Sequence, residues 1–215
     1  MSQFFQLRNF VSRTKDSLIF NFWSHVVWRF RQPVFVVLLG APGSGKGTLA
    51  VELAKHLGVP QLSTGDVFRR EVKNQTAVGR LVVQCMKDGS LAPDHVTFQV
   101  VRDELRAWQY RNGAILDGFP RNVPQAEMLA RFLRSRGIAL EIIIALDVSE
   151  EELLKRLLLR GRADDVPEVI KNRMRVYQNE SGPLVPYYEQ NGRLLLVSLP
   201  GANKEDVLDF VLRRL

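Results

Sequence analysis

Gly40-Ala41-Pro42-Gly43-Ser44-Gly45-Lys46-Gly47-Thr48 is the stretch on which the reading of the chain turns. Val34-Phe35-Val36-Val37-Leu38-Leu39 precedes it, apolar without interruption, as a strand buried on both faces requires. After it, apolar residues recur at 49, 50, 53, 54 and 57, which is helical spacing, and Gly58 stands where a C-cap belongs. Glycines between a strand and a helix let the backbone turn tightly and aim several N–H groups inward. The helix N-terminus adds partial positive charge and Lys46 a full one, so the stretch reads as a phosphate-binding loop. An ordinary ATPase or GTPase loop carries Ser or Thr directly after the lysine to ligate Mg²⁺. Here Gly47 holds that place and the hydroxyl comes one residue later, at Thr48. A metal is therefore expected to rest on phosphates, water and a carboxylate elsewhere.

Four further apolar runs, near Pro60–Leu62, Ala114–Leu116, Ile142–Leu146 and Leu194–Val197, alternate with helical patterns. The alternation predicts an α/β fold: a doubly wound, five-stranded parallel sheet with helices on both faces. In such sheets ligands collect at the carboxyl ends of the strands. The second strand leads into Ser63-Thr64-Gly65-Asp66 and Arg69, where Thr64 can cap the following helix. The third ends in Asp117-Gly118-Phe119-Pro120-Arg121, with Gln125 on the next helix. Asp117, at a strand end beside a phosphate loop, is placed to hold Mg²⁺ directly or through water. After the fourth strand, Ser149 and Glu152 have capping-box spacing. The helix they open runs through Leu153, Leu154, Leu157 and Leu158 and carries Arg156 and Arg160 on one face. Arg162 and, on the next helix, Arg173 follow. One arginine near a helix C-terminus answers the dipole; this many together read as a clamp for a polyanion.

The chain has 215 residues, enough for one sizeable domain with a small appendage. Its net charge of +7 is uneven: residues 1–33 carry Arg8, Arg13, Lys15, Arg29 and Arg31 against Asp16, a net of +4, leaving +3 for the rest. That distribution argues against a nucleic-acid surface and for local anion sites. The single cysteine, Cys85, excludes an intramolecular disulfide and is expected to be a buried structural thiol. No Cys/His cluster points to zinc.

Residues 1–33 form an N-terminal extension rich in aromatic side chains, among them Phe20, Phe22, Trp23 and Trp28. Their longest uncharged run, Ser17 to Trp28, would span about 18 Å as a helix, short of a bilayer core of roughly 30 Å. Three readings stay open: a mitochondrial presequence, a helix lying on a membrane surface in an otherwise cytoplasmic protein, and an extra helix packed on the domain.

Taken together, Gly40–Thr48, Leu62–Asp66 with Arg69, Asp117–Arg121 with Gln125, and Arg160-Gly161-Arg162-Ala163-Asp164-Asp165 with Arg173 resemble adenylate kinase, within the nucleoside monophosphate kinases. The resemblance covers Val34 to the C-terminus. It implies ATP and AMP as partners, Mg²⁺ as cofactor, and a monomer that transfers a phosphoryl group from ATP to AMP. Gly43, Ser44, Gly45, Lys46, Gly47 and Thr48 would bind ATP, with Arg156 and Arg160 on its phosphates and Gly201 over its adenine. Thr64, Arg69, Gly118, Arg121, Gln125, Arg162 and Arg173 would bind AMP, Gln125 by its base. Lys46, Arg121, Arg156, Arg162 and Arg173 would act on the transferring group, and Asp117 on water-bound Mg²⁺. An AMP-binding segment is expected at about 63–92. Only Gly161 separates Arg160 from Arg162, so the lid, at about 160–165, resembles the short form. Val197-Ser198 stands where the family often has Asp or Asn. A UMP–CMP kinase is the nearest rival; that group usually has Ala in place of Thr64 and Asn in place of Gln125. More distant rivals are a GTPase-like switch, through Asn203-Lys204-Glu205-Asp206, and a relative that only binds nucleotide.

Overall fold

In a computed structural model the apolar run becomes strand β1, Val34–Gly40, with every residue from Phe35 onward buried. Residues 33–138, 142–160, 166–190, 194–198 and 204–214 are described. The chain divides into two units, Met1–Gln32 and Pro33–Leu215, and all the strands and helices named below belong to the second. The readings of the N-terminal extension lie outside the described residues.

β1 is flanked by β3 (Gly113–Asp117) and β4 (Ile142–Asp147), while β2 (Gln61–Ser63) and β5 (Leu194–Ser198) form the edges. All four pairings are parallel, in the order β2-β3-β1-β4-β5. The expected five-stranded parallel sheet is present. Successive side chains of a strand point to opposite faces, and β1 feeds two cores accordingly. Phe35, Val37 and Leu39 join one with Leu116, Leu129 and Ile143. Val36 and Leu38 join the other with Leu49, Leu53, Ile115 and Ile144. Each large apolar side chain so buried contributes about 1.5–3 kcal/mol, which is why the strand carries no polar residue on either face.

Helix α1 (Lys46–Leu57) begins inside the glycine-rich loop and ends on Gly58, whose left-handed φ of 64° confirms the expected C-cap. Next come α2 (Thr64–Lys73), α3 (Ala77–Asp88), α4 (Asp94–Glu104) and α5 (Val123–Arg134). The second half supplies α6 (Glu150–Arg160), α7 (Pro167–Val176), a π-helical turn at Tyr177–Ser181, α8 (Leu184–Gln190) and α9 (Lys204–Leu212).

Two expectations need correction. Ser63 rather than Thr64 caps α2: its hydroxyl accepts the Asp66 N–H at 3.3 Å, and Thr64 is the first helical residue. On α6 only Leu153 and Leu157 are buried, whereas Leu154 and Leu158 are exposed, so the core-facing stripe is narrower than the spacing of leucines suggests.

The chain leaves β1 toward β2 and leaves β3 toward β4, in opposite directions along the sheet. The carboxyl ends of the adjacent strands β1 and β3 therefore border the crevice where ligands bind in open parallel sheets.

Candidate active site

The loop after β1 is held by its own glycines and by α6. Gly40 and Gly43 adopt φ of 147° and 86°, where a side chain is strained. A Cβ on Gly40 would stand 2.7 Å from Ser44 Oγ and 2.9 Å from the Leu146 carbonyl. One on Gly43 would stand 3.0 Å from both the Leu153 carbonyl and Leu157 Cγ. Ala41, Leu153, Leu157, Ile170 and Met174 form a small core beneath, which presses α6 and α7 against the loop. Lys46 Nζ donates to the Gly40 and Ala41 carbonyls, at 2.6 and 2.8 Å, and to Ser44 Oγ at 3.3 Å. The ammonium thus lies across the loop's mouth, next to the N-terminus of α1.

Arg156 comes to the loop from α6. Its Nη1 lies 3.9 Å from where a Cβ on Gly45 would stand, and its Nε donates to Glu152 Oε1 at 2.8 Å. Asp117 arrives from β3, its Oδ2 3.6 Å from the corresponding point on Gly47. A Cβ at Gly47 would meet this carboxylate in ordinary van der Waals contact, so Asp117 lies directly beside the loop. Gln61 Nε2, from β2, donates to the same oxygen at 3.0 Å.

Arg121, Arg69 and Arg173 gather on the opposite wall. Arg121 Nε donates to the Gly118 carbonyl at 2.9 Å, which also accepts from Thr64 Oγ1 at 2.9 Å. A Cβ on Gly118, whose φ is 78°, would meet Thr64 Oγ1 at 2.9 Å and Arg121 Nη2 at 3.2 Å. Arg69 pairs with Asp66 and covers Gly65, 3.4 Å from its Cβ position. Arg173 reaches over Gly89 from α7, which Asn172 ties to the Asp88 carbonyl at 2.6 Å. The Arg121 pKa is lowered, first by burial in the cleft and then by the charges of Arg173 and Arg69, while Asp117 opposes the shift. Its side chain still opens on the cleft and water reaches it. The guanidinium therefore remains charged. Like charges are brought this close where an anion is to lie between them.

Gln125 is 1 % exposed. Its Oε1 accepts from the Arg121 backbone N–H at 2.8 Å, and its Nε2 donates to Asp94 Oδ1 at 2.7 Å. Among the described residues the buried polar side chains are Ser44, Thr64, Thr97 and Gln125, and all four line one cleft of about 1070 Å³. Buried polar groups in a core usually serve neighbouring backbone; their concentration at one cavity marks it as a binding site.

The cleft brings together Gly43, Ser44, Gly45, Lys46, Gly47, Thr48, Thr64, Arg69, Asp117, Gly118, Arg121, Gln125, Arg156 and Arg173. Arg162, Gly201 and the side chain of Arg160 lie outside the described residues, as does most of the short lid. Cys85 lines the cleft and is only half-buried, contrary to the expected core thiol. Sequence reasoning missed Gln61, Asp94, Tyr177 and Ser181. A lone polar residue opening a short apolar strand was the signal available for Gln61. Ser181 Oγ, donating to the Arg121 carbonyl at 2.7 Å across sixty positions of chain, had none.

A family model described as adenylate kinase matches residues 38–193. Among curated relatives, the adenylate kinase of Mycobacterium sp. strain MCS is 49% identical over 153 residues, covering 71% of this chain and 84% of its own. Those of Mycolicibacterium paratuberculosis and Mycobacterium ulcerans are 48% and 47% identical, with 84% and 85% of their lengths covered. The matched span runs from inside β1 past α8, taking in the phosphate loop, the strand-end carboxylate and the described arginines, and on that span the chain belongs to the adenylate kinase family.

Proposed function

We propose that the protein reversibly transfers the terminal phosphoryl group of Mg²⁺-bound ATP to AMP, yielding two ADP. The observation that supports this best is the cleft itself: a phosphate loop on one wall faces three converging guanidinium groups on the other. One nucleotide needs only the first wall; two phosphate chains meeting end to end need both.

In this reading Gly43 to Thr48 wrap the donor phosphates with backbone N–H groups, and Lys46 swings from the loop carbonyls onto the transferring group. Arg156, Arg160 and Arg162 follow the charge as it moves to the leaving oxygen. Arg69, Arg121 and Arg173 hold the acceptor phosphate and offset its repulsion by the donor. An oxygen of that phosphate attacks the terminal phosphorus, a new P–O bond forms, and the bond to the bridging oxygen breaks. No protein nucleophile is required, because positioning and electrostatic stabilisation supply the rate. Thr64 and Gly118 line the acceptor nucleoside, Gln125 reads its base, and Gly201 covers the donor adenine. Residues 63–92 form the AMP-binding segment and 160–165 the short lid.

The donor set fits Mg²⁺. Among the described residues no group of three metal-ligating side chains occurs, and Asp117 offers one carboxylate beside the loop. Mg²⁺ keeps several waters and takes few protein oxygens, and Asp117 would hold it through water. Bound there it would neutralise charge on the donor phosphates. Gln61 fixes the carboxylate's orientation.

The UMP–CMP alternative is disfavoured by Thr64 and Gln125, both adenine-type choices, and by the relatives' names. Offering AMP, UMP, CMP and GMP with ATP in a coupled assay tests the proposal: AMP is expected to turn over fastest, and preference for a pyrimidine would refute it. No described helix is long and apolar enough to cross a membrane. The mycobacterial relatives lend no support to a mitochondrial presequence. We propose that residues 1–33 are dispensable for catalysis and that the protein acts as a monomer.

A further inference from the structure

We propose that Asp94 is a positioning residue that sets the base specificity of the acceptor site by fixing which way the Gln125 amide points. The inference rests on the reading of Gln125 as the group that meets the acceptor base.

A primary amide has two donors on nitrogen and two acceptor sites on oxygen, and its two ends are close to the same size. Left to itself, Gln125 could present either end to a ligand by a half-turn of the terminal torsion. Its two protein partners allow one direction only. The Arg121 backbone N–H can only donate, and the Gln125 oxygen accepts from it at 2.8 Å. The Asp94 carboxylate can only accept, and the Gln125 nitrogen donates to it at 2.7 Å. Turning the amide over would set donor against donor and acceptor against acceptor inside a buried site, where unsatisfied groups are expensive.

Asp94 is itself fixed. It opens α4, and Asn122 Nδ2 donates to its two oxygens at 3.0 and 3.3 Å. Asn122 is in turn oriented, because its Oδ1 accepts the Gln125 backbone N–H at 3.0 Å as the N-cap of α5. Gln125 lines the cleft and Asp94 stands behind it, so Asp94 acts through Gln125.

Each partner uses one position on the amide, which leaves one N–H and one oxygen lone pair for a ligand. That pair matches a base edge with an acceptor beside an amino donor, as in adenine. It opposes the reversed edge of a 6-oxopurine, whose ring nitrogen donates and whose oxygen accepts. Cytosine shares the adenine pattern and uracil the reversed one, so the same lock orders the pyrimidines as well.

The test compares AMP with IMP, which differ at this edge, in the full-length protein and in Asp94→Asn. Asn keeps the shape of Asp but can present a donor, so one of the two contacts that hold the Gln125 amide is weakened and the Arg121 N–H alone still opposes its turning over. Asp94→Asn is expected to raise KM for AMP several-fold, to lower kcat less, and to shift the AMP:IMP ratio of kcat/KM toward IMP by at least tenfold. Asp94→Ser, whose hydroxyl donates or accepts, is expected to shift the ratio the same way. Equal losses for AMP and IMP would overturn the proposal, since a merely structural role at the start of α4 weakens both alike. An unchanged ratio, or failure of both variants to fold, would overturn it too. A wild-type protein that does not prefer AMP to IMP would instead refute base reading by Gln125, a result separable from a discriminating wild type paired with an indifferent variant.

Discussion

The two walls of the cleft are built from different materials. The wall proposed to hold the donor is mostly backbone: the turn from Gly40 to Gly45, the first N–H groups of α1, and Lys46 lying across them. The wall proposed to hold the acceptor is a mesh of side chains that hydrogen-bond to one another and to nearby backbone, with Thr64, Arg121, Gln125 and Asp94 as its knots. Backbone N–H groups recognise phosphate in any nucleotide. Side chains recognise a particular acceptor. Substitutions on the first wall should therefore reduce rate for every acceptor alike, whereas on the second those at the phosphate-facing arginines should weaken acceptor binding and those at Gln125 and Asp94 should change which acceptor is used.

The largest expected effect falls on the donor wall. Lys46→Met should keep the fold and lower kcat by about a hundredfold to a thousandfold, the typical cost of removing one preorganised charge from a transition state. The loss should be equal with AMP and CMP; an acceptor-dependent loss, measured by initial rates, would break the contrast. Arg121→Ala should come next. It is expected to raise KM for AMP and lower kcat together, because the guanidinium is proposed to serve both the acceptor and the transferring group, and steady-state kinetics would show a pure KM effect if it served the acceptor alone.

A smaller effect sharpens the comparison by stability. Gly40→Ala forces a Cβ into contacts of 2.7 and 2.9 Å at a φ of 147°, and should cost about 1–3 kcal/mol in denaturant unfolding. Smaller again, Thr64→Ala removes one hydrogen bond to a carbonyl that keeps Arg121 as a donor. About 0.5–1.5 kcal/mol should appear as a raised KM for AMP, with KM for ATP unmoved. The least effect is expected from deleting residues 1–33, which should leave initial rates unchanged; a folded but inactive truncation would place part of the site in the extension.

The contrast between walls also explains what could be read in advance. The donor wall follows from contiguous sequence. An apolar hexamer, spaced glycines, a lysine and a helical repeat determine strand, loop and helix between Val34 and Leu57, and the structure has them in place. Asp117 and Arg121 were legible because strand ends of parallel sheets are where ligands gather. The mesh of the acceptor wall was not legible from local pattern. Asp94 reads as an ordinary first-turn acid of α4, and its bond to Gln125 spans thirty-one positions. Gln61 meets Asp117 only because β2 pairs with β3. Ser63 and Thr64 are both good caps by type. Which one served depended on the Gly118 carbonyl, which Thr64 reaches and Ser63 does not serve.

Phosphorus NMR of the protein incubated with ADP and Mg²⁺ alone tests most directly whether the two walls hold two nucleotides end to end. The predicted result is the appearance of ATP and AMP in equal amounts with no inorganic phosphate, abolished in Lys46→Met. Unchanged ADP, or release of inorganic phosphate in place of ATP, would contradict the account.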